Sequence, residues 1–261
     1  MGNNNNNSRV AIITGASSGI GYATSLVLSK SGIRVAVGAR RTDRLKELVE
    51  QIVKNGDKKR RGVVEKEEVF IQRKLDVTNK SDCDSFVDAV VRKWGKVDIL
   101  INNAGLMPLS YFKNRKVQEW EQMIDVNIKG VLYCTSVVVP HMLDKKSGHI
   151  VNLSSVAGRI VFAGGSVYCA TKHAISAFSE GLRKELSPEY NIRITCIEPG
   201  AVSTELLESI TDESMTKFIE GSKSMERLQS EDVANAILYA IQAPSHVNVN
   251  EILMRPTAQE R

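Results

Sequence analysis

Cysteine is scarce and scattered: Cys83, Cys134, Cys169 and Cys196 form no C-x-x-C pair. Such usage argues against a disulfide framework and fits reduced thiols in a cytoplasmic protein. The 4 histidines are dispersed without clustered partner ligands, so no metal site is expected. No stretch approaches the ~18 apolar residues of a transmembrane helix, so no membrane span is expected. The opening Met1-Gly-Asn-Asn-Asn-Asn-Asn-Ser8 lacks the basic and apolar regions of a signal peptide. It reads as a disordered polar lead-in over residues 1–8, ahead of a single domain over 9–261. The net charge of +5 invites a nucleic-acid reading, but the basic residues do not interleave with aromatics. The densest run, Lys58-Lys-Arg-Arg61, is followed by Glu65, Glu67 and Glu68, as in a solvated, charge-balanced segment. No nucleic-acid partner is expected.

What is present is ordinary globular material. The 261 residues can bury a large core, and 42% hydrophobic with 25% charged residues is average usage. Apolar runs predict strands at 10–14, 34–39, 69–75, 98–102, 148–154, 192–197 and 249–254. Helices are predicted between them, at 19–30, 43–54, 81–94, 117–143, 166–187 and 230–242. This alternation specifies an α/β chain: a doubly wound, three-layer fold on a seven-stranded parallel sheet. No repeat or interdomain linker interrupts it. Residues 53–68 are long and charged for such a connection and read as a surface extension of the second helix or its following loop.

Thr14-Gly-Ala-Ser-Ser-Gly-Ile-Gly21 directly follows the apolar run Val10-Ala-Ile-Ile13 and precedes a helical pattern that stops at Ser31-Gly32. Strand, glycine-rich turn and helix suit a dinucleotide: glycines let the backbone approach a pyrophosphate, and the helix N-terminus favours its charge. The spacing is G-x-x-x-G-x-G, however, and glycine-rich turns are common. Ser155, Tyr168 and Lys172 form a second signal. A Tyr and a Lys four residues apart share one helix face. A free phenol, with a pKa of ~10, is a poor base at neutral pH. An ammonium ~4 Å away would favour the phenolate by up to roughly 4 kcal/mol at a dielectric of about 20. That shift brings a Tyr towards working pH, where general acid–base catalysis is most effective. Ser155 would hydrogen-bond the oxygen that gains or loses the proton. Taken alone, the Tyr–Lys spacing more often marks a solvated helix face.

Thr14-Gly-x-x-x-Gly-x-Gly21, Asn102-Asn-Ala-Gly105, Asn127, Ser155, Tyr168-x-x-x-Lys172 and Pro199-Gly200 stand together in one order and spacing, with 13 residues from Ser to Tyr. From about Val10 onward the chain resembles the short-chain dehydrogenases/reductases, NAD(P)-dependent enzymes on a Rossmann-like domain. The resemblance implies catalysis by Ser155, Tyr168 and Lys172, with Asn127 holding a water near Lys172 to relay protons. It implies cofactor contacts from Gly15, Ser17, Ser18, Gly19, Ile20 and Gly21 in the turn. Asp76 and Val77 would frame the adenine; Asn103, Ala104 and Gly105 would run along the adenosine ribose. Tyr168 and Lys172 would reach the nicotinamide ribose, Pro199, Gly200 and Val202 would pin the nicotinamide ring, and Thr204 would meet the diphosphate or carboxamide. A homotetramer is the family's usual assembly.

The second strand argues for NADP(H). Where NAD users place a carboxylate at its end, this chain has Ala39 followed by Arg40 and Arg41. A guanidinium holds a 2′-phosphate in bidentate fashion, although two solvated arginines are the plainer alternative. Ser17-Ser18 stand where some NADP users of the family have a basic residue.

For the substrate, Asn103-Ala-Gly-Leu-Met-Pro-Leu109, Ile197-Glu-Pro-Gly200 and Val249-Asn-Glu-Ile-Leu-Met-Arg-Pro256 resemble the family's 3-hydroxy acid and serine dehydrogenase branch, which also reduces small aldehydes and ketones. A broad carbonyl or 3-oxoacyl reductase is the other enzyme reading, and an NADP(H)-binding sensor the non-enzyme one. Residues 106–112, 156–165 and 205–226 are expected to line the substrate pocket, the last as a mobile lid. Arg159 or Arg255 could pair a substrate carboxylate, or lie at the surface or an interface. Cys169 adjoins Tyr168 and is either a small packing residue or a place where modification would block the site.

Overall fold

The structure is a computed structural model describing residues 8–55 and 70–260. The lead-in at 1–7 and the charged stretch 56–68 lie outside the described residues. Among those described, seven strands form one sheet in the order β3-β2-β1-β4-β5-β6-β7, every pair parallel. They are β1 (Val10–Thr14), β2 (Arg34–Ala39), β3 (Phe70–Lys74), β4 (Ile99–Asn102), β5 (Gly148–Leu153), β6 (Ile192–Pro199) and β7 (Glu251–Met254).

β1 is buried throughout, as a central parallel strand covered on both faces must be. Its side chains alternate between two cores. Ala11 and Ile13 join one core with Leu28 of α1 (Gly19–Lys30), Leu48 of α2 (Thr42–Asn55) and Ile237 of α8 (Ser230–Gln242). Val10 and Ile12 join the other, with Phe86 of α3 (Lys80–Trp94), Val138 of α5 (Gly130–Lys145) and Leu186 of α6 (Ser166–Tyr190). Local signals set the ends of α3. The Asn79 side chain accepts from the Ser81 and Asp82 amides at its start, and Gly95 closes it with φ of 72°.

The helix predicted over 117–143 is broken. α4 (Val117–Ile124) runs into a π turn at Asp125–Lys129 before α5 begins. By length and composition this run would pass for a bilayer span. It lies along the sheet, with Val131, Val138 and Met142 buried. The segment expected as a lid holds short turns at Glu205–Ser209 and Glu213–Met215 and then α7 (Thr216–Ser224). Hydrogen bonds from Asn114 to Asp212 (2.6 Å) and from the Met107 amide to Ser209 (3.3 Å) fasten it to the stretch after β4.

The strand order reverses between β1 and β4, so the loops after their carboxyl ends diverge and leave a crevice.

Candidate active site

A cavity of about 1060 Å³ occupies that crevice. It is lined by Gly15, Ser17, Ser18, Gly19 and Ile20 after β1, by Arg40 and Arg41 after β2, and by Asp76 and Val77 after β3. Asn103, Ala104 and Gly105 line it after β4, Ser155 after β5, and Pro199, Gly200, Val202 and Thr204 after β6. Tyr168 and Lys172 enter from α6. Gly21 and Asn127 stand just behind this wall.

The turn after β1 is shaped by its glycines. Gly15 and Gly19 have φ of 65° and 57°, where a Cβ is strained. A Cβ on Gly21 would sit 2.4 Å from Asn103 Nδ2. Asn103 in turn donates through Nδ2 to the carbonyls of Thr14 (2.9 Å) and Gly15 (3.1 Å), locking the loop after β4 to the turn after β1. Thr14 Oγ1 accepts from the amides of both Asn103 and Ala104. At the start of α1, Ser18 makes no side-chain cap and the first turn carries no acid. The positive end of the helix thus faces the cavity uncompensated, a place for an anion.

Arg41 arches over this end. It donates to Ser17 Oγ (3.2 Å) and Ser18 Oγ (2.7 Å) and pairs with Glu205 (2.8 Å). Arg44, in the first turn of α2, holds the same carboxylate. The two guanidinium groups pull the Glu205 carboxyl down to about 2. Burial would raise the Asp76 carboxyl, but hydrogen bonds from Thr78 outweigh it and hold the group below its usual range, with a smaller contribution from the Arg40 charge.

At the far end, Ser155, Tyr168 and Lys172 come together in a buried setting. The Ser155 hydroxyl accepts from the Ala157 amide and donates to Pro199 O (3.3 Å). Lys172 Nζ donates to Leu153 O (2.8 Å) and stands 5.7 Å from the centre of the Tyr168 ring. Burial pushes the Tyr168 phenol up to about 12, against a lowering by the adjoining Ser155 hydroxyl, and pushes the Lys172 ammonium down to about 8. The expectation of a lowered phenol pKa is therefore corrected. Desolvation favours the neutral phenol.

Asn127 lies in the π turn, buried. Its Oδ1 accepts from the Leu106 amide (2.9 Å), and its Nδ2 donates to Leu106 O (3.0 Å) and Thr171 Oγ1 (3.2 Å). It does not touch Lys172. The two flank Gly105 instead, where a Cβ would lie 3.3 Å from Asn127 Oδ1 and 3.9 Å from Lys172 Nζ.

A family model for short chain dehydrogenases matches residues 9–215. The chain belongs to that family. It is 45% identical over 257 residues to an uncharacterized oxidoreductase of Staphylococcus saprophyticus, covering 98% of this chain and 99% of the relative. The structure resembles the closed form of a serine dehydrogenase complexed with NADP+ at a TM-score of 0.85 and 33% identity, over 97% of this chain and 96% of that one. It also resembles an alcohol dehydrogenase of Thermococcus sibiricus complexed with 5-hydroxy-NADP, at a TM-score of 0.82 and 25% identity, over 97% and 99%.

As a member of this family the chain has a cradle that fits a dinucleotide, since the turn at 14–21 tolerates no further side-chain bulk and its helix end awaits an anion. Arg44 and Gln259 escaped sequence reading, and Glu205, expected in the pocket-lining segment, was not foreseen as the partner of two arginines. Arg44 could have been found from its place one helical turn beyond Arg41. Glu205 and Gln259 carry no local signal. Gln259 lines the cavity and accepts from the Ala201 amide (2.9 Å), packing where a Cβ on Gly200 would fall. Neither arginine proposed for a substrate carboxylate lines the cavity. Arg159 donates through Nε to both oxygens of the buried Glu198 (2.9 and 2.8 Å) and pairs with Glu251. Cys169 is fully buried and packs with Met107, Leu109 and Met215.

Proposed function

We propose that this dehydrogenase transfers a hydride between NADP(H) and a small alcohol or carbonyl compound, within one catalytic unit spanning residues 9–261. The supporting observation is that one cavity carries a glycine-rich helix end with Arg41 at one pole and Ser155, Tyr168 and Lys172 at the other. Arg41, with Arg44, suits a 2′-phosphate, because two guanidinium groups already enclose an anion there, the Glu205 carboxylate. The NADP+ of the serine dehydrogenase neighbour supports the same choice.

In reduction, the substrate carbonyl oxygen accepts from Ser155 and Tyr168. Bound NADPH supplies the hydride to the carbonyl carbon. Tyr168, neutral at rest, gives its proton to the oxygen as charge builds there. Lys172, still charged at neutral pH, steadies the phenolate so formed. Asn127, fixed by Leu106 and Thr171, flanks Gly105 opposite Lys172, where a water-borne proton relay to solvent would pass. Alcohol oxidation reverses each step. A homotetramer in the cytoplasm completes the proposal.

The test uses NADPH carrying deuterium at both C4 positions and a panel of simple aldehydes and ketones. Mass spectrometry should find one deuteron on the carbinol carbon of the product; product without label, or no product from any carbonyl, would sink the reading.

A further inference from the structure

Resting on the hydride-transfer reading, we infer that the substrate is an uncharged ketone or aldehyde bearing an aryl or branched aliphatic group, and not a small acid. Beyond Ser155 and Tyr168 the cavity wall is formed mainly by the apolar Met107, Ile160, Val161, Phe162, Leu206 and Phe218, with the uncharged Ser222 beside them. Among the described residues lining the cavity, the cations are Arg40 and Arg41 at the opposite pole and Lys172 beneath the tyrosine. Lys172 is committed to Leu153 O.

Arg159 would be the obvious partner for a substrate carboxylate, since it follows Ser155 by four residues. Its guanidinium is turned away instead, with Nε on Glu198 and Nη2 on Glu251. A carboxylate placed against this wall would meet no cation among the described residues lining it, a penalty for whatever water it gives up there.

Exposure gives an independent argument. Val161 is 76% exposed and Phe218 is 37% exposed, yet both line the cavity. Phe162 stacks on Phe218 with ring centres 5.5 Å apart and planes 8° from parallel, joining the loop after β5 to α7. Apolar surface held open at a cavity mouth is covered when an apolar ligand enters. An aryl group fits beside this aromatic pair.

The test compares methyl benzoylformate with benzoylformate, an uncharged ester and its anionic acid, using NADPH and normalising each rate to the ketone's own reactivity towards borohydride. In each, hydride from NADPH adds to the ketone carbon, Tyr168 protonates the oxygen, and one NADP+ forms per carbinol. The ester should show a kcat/KM on the order of 100-fold above that of the acid, because only the acid must bury an unpaired charge. Val161→Lys, a change at an exposed site, should narrow the gap by about tenfold by supplying a cation at the lip. Equal or faster turnover of the acid would overturn the inference while leaving hydride transfer intact. If neither ketone oxidises NADPH the inference also fails, and the hydride-transfer reading falls with it only if the deuterated-cofactor panel is silent too.

Discussion

Arg41 binds Ser18 at 2.7 Å and Glu205 at 2.8 Å through different nitrogens, so one guanidinium ties the glycine-rich turn to the segment that covers the cavity. Glu205 thereby holds the place that a phosphate would take. Replacing it with Gln should tighten NADPH binding, because the competing carboxylate charge is gone. Arg41→Ala should weaken NADPH by roughly 10- to 100-fold, the value of charge-assisted hydrogen bonds, and leave NADH within about 3-fold. Fluorescence titration of both nucleotides on both variants checks this; equal losses for NADPH and NADH would show that Arg41 does not read the 2′-phosphate.

Tyr168→Phe should lower kcat by on the order of 100- to 10,000-fold, the usual contribution of a positioned proton donor. NADPH affinity should stay within a few-fold, since most of the cradle lies elsewhere. Steady-state kinetics beside a cofactor titration separate the two effects, and near-normal turnover would exclude the phenol as the acid.

The pH dependence follows from Lys172. Its ammonium, held down to about 8, is present below that pH and lost above it. Reduction, which needs the cation to steady the phenolate, should therefore be flat at neutral pH and decline above about pH 8. Because kcat/KM for NADPH reports the free protein, its pH profile is the measurement. A profile that stays level to pH 10 would contradict the assignment.

Acid sensitivity should trace to His149. Burial, with Arg193 and Arg9 nearby, pushes this imidazole down to about 3, and its Nε2 pairs with Thr195 at 2.8 Å. A depressed pKa means the unfolded chain binds a proton the folded one refuses, so stability falls as pH drops from 6.5 towards 3. By pH 4.5 the loss should be about 3 kcal/mol from this residue. Denaturant unfolding of wild type and His149→Gln at pH 7 and pH 4.5 tests it: the variant should lose less between the two.

Gly21→Ala should destabilise the fold by about 1–3 kcal/mol, an overpacking cost, because its methyl meets Asn103 Nδ2 at 2.4 Å and Gly15 O at 2.7 Å. A lowered Tm together with weakened cofactor binding would be expected; an unchanged Tm would mean the two loops can part freely.

Local physics was legible in the chain. The strand Val10–Thr14, the turn to Gly21 and helix α1 follow from an apolar run, glycine spacing and a helical pattern in sequence, and each lies where expected. The same holds for the strand ends that bear Ser155 and Pro199. What escaped notice depends on distance in space. Glu205 meets Arg41 across 164 residues, and Gln259 reaches Ala201 across 58. The break at Asp125–Lys129 was hidden because a π turn needs no proline or glycine. The Tyr168 expectation went astray for a different reason. Helical spacing put the ammonium near the phenol, but it said nothing of how thoroughly both would be stripped of water.

Arg159 anchors the loop after Ser155 to Glu198 of β6 and Glu251 of β7. Ser155 thus sits on a pinned stretch of backbone, while Ile160, Val161 and Phe162 follow directly on the cavity side. Mutational drift in those three positions can reshape what the cavity accepts while the proton-handling groups keep their places. A lineage built on this arrangement is free to explore new substrates one side chain at a time, with the old chemistry still running at every step.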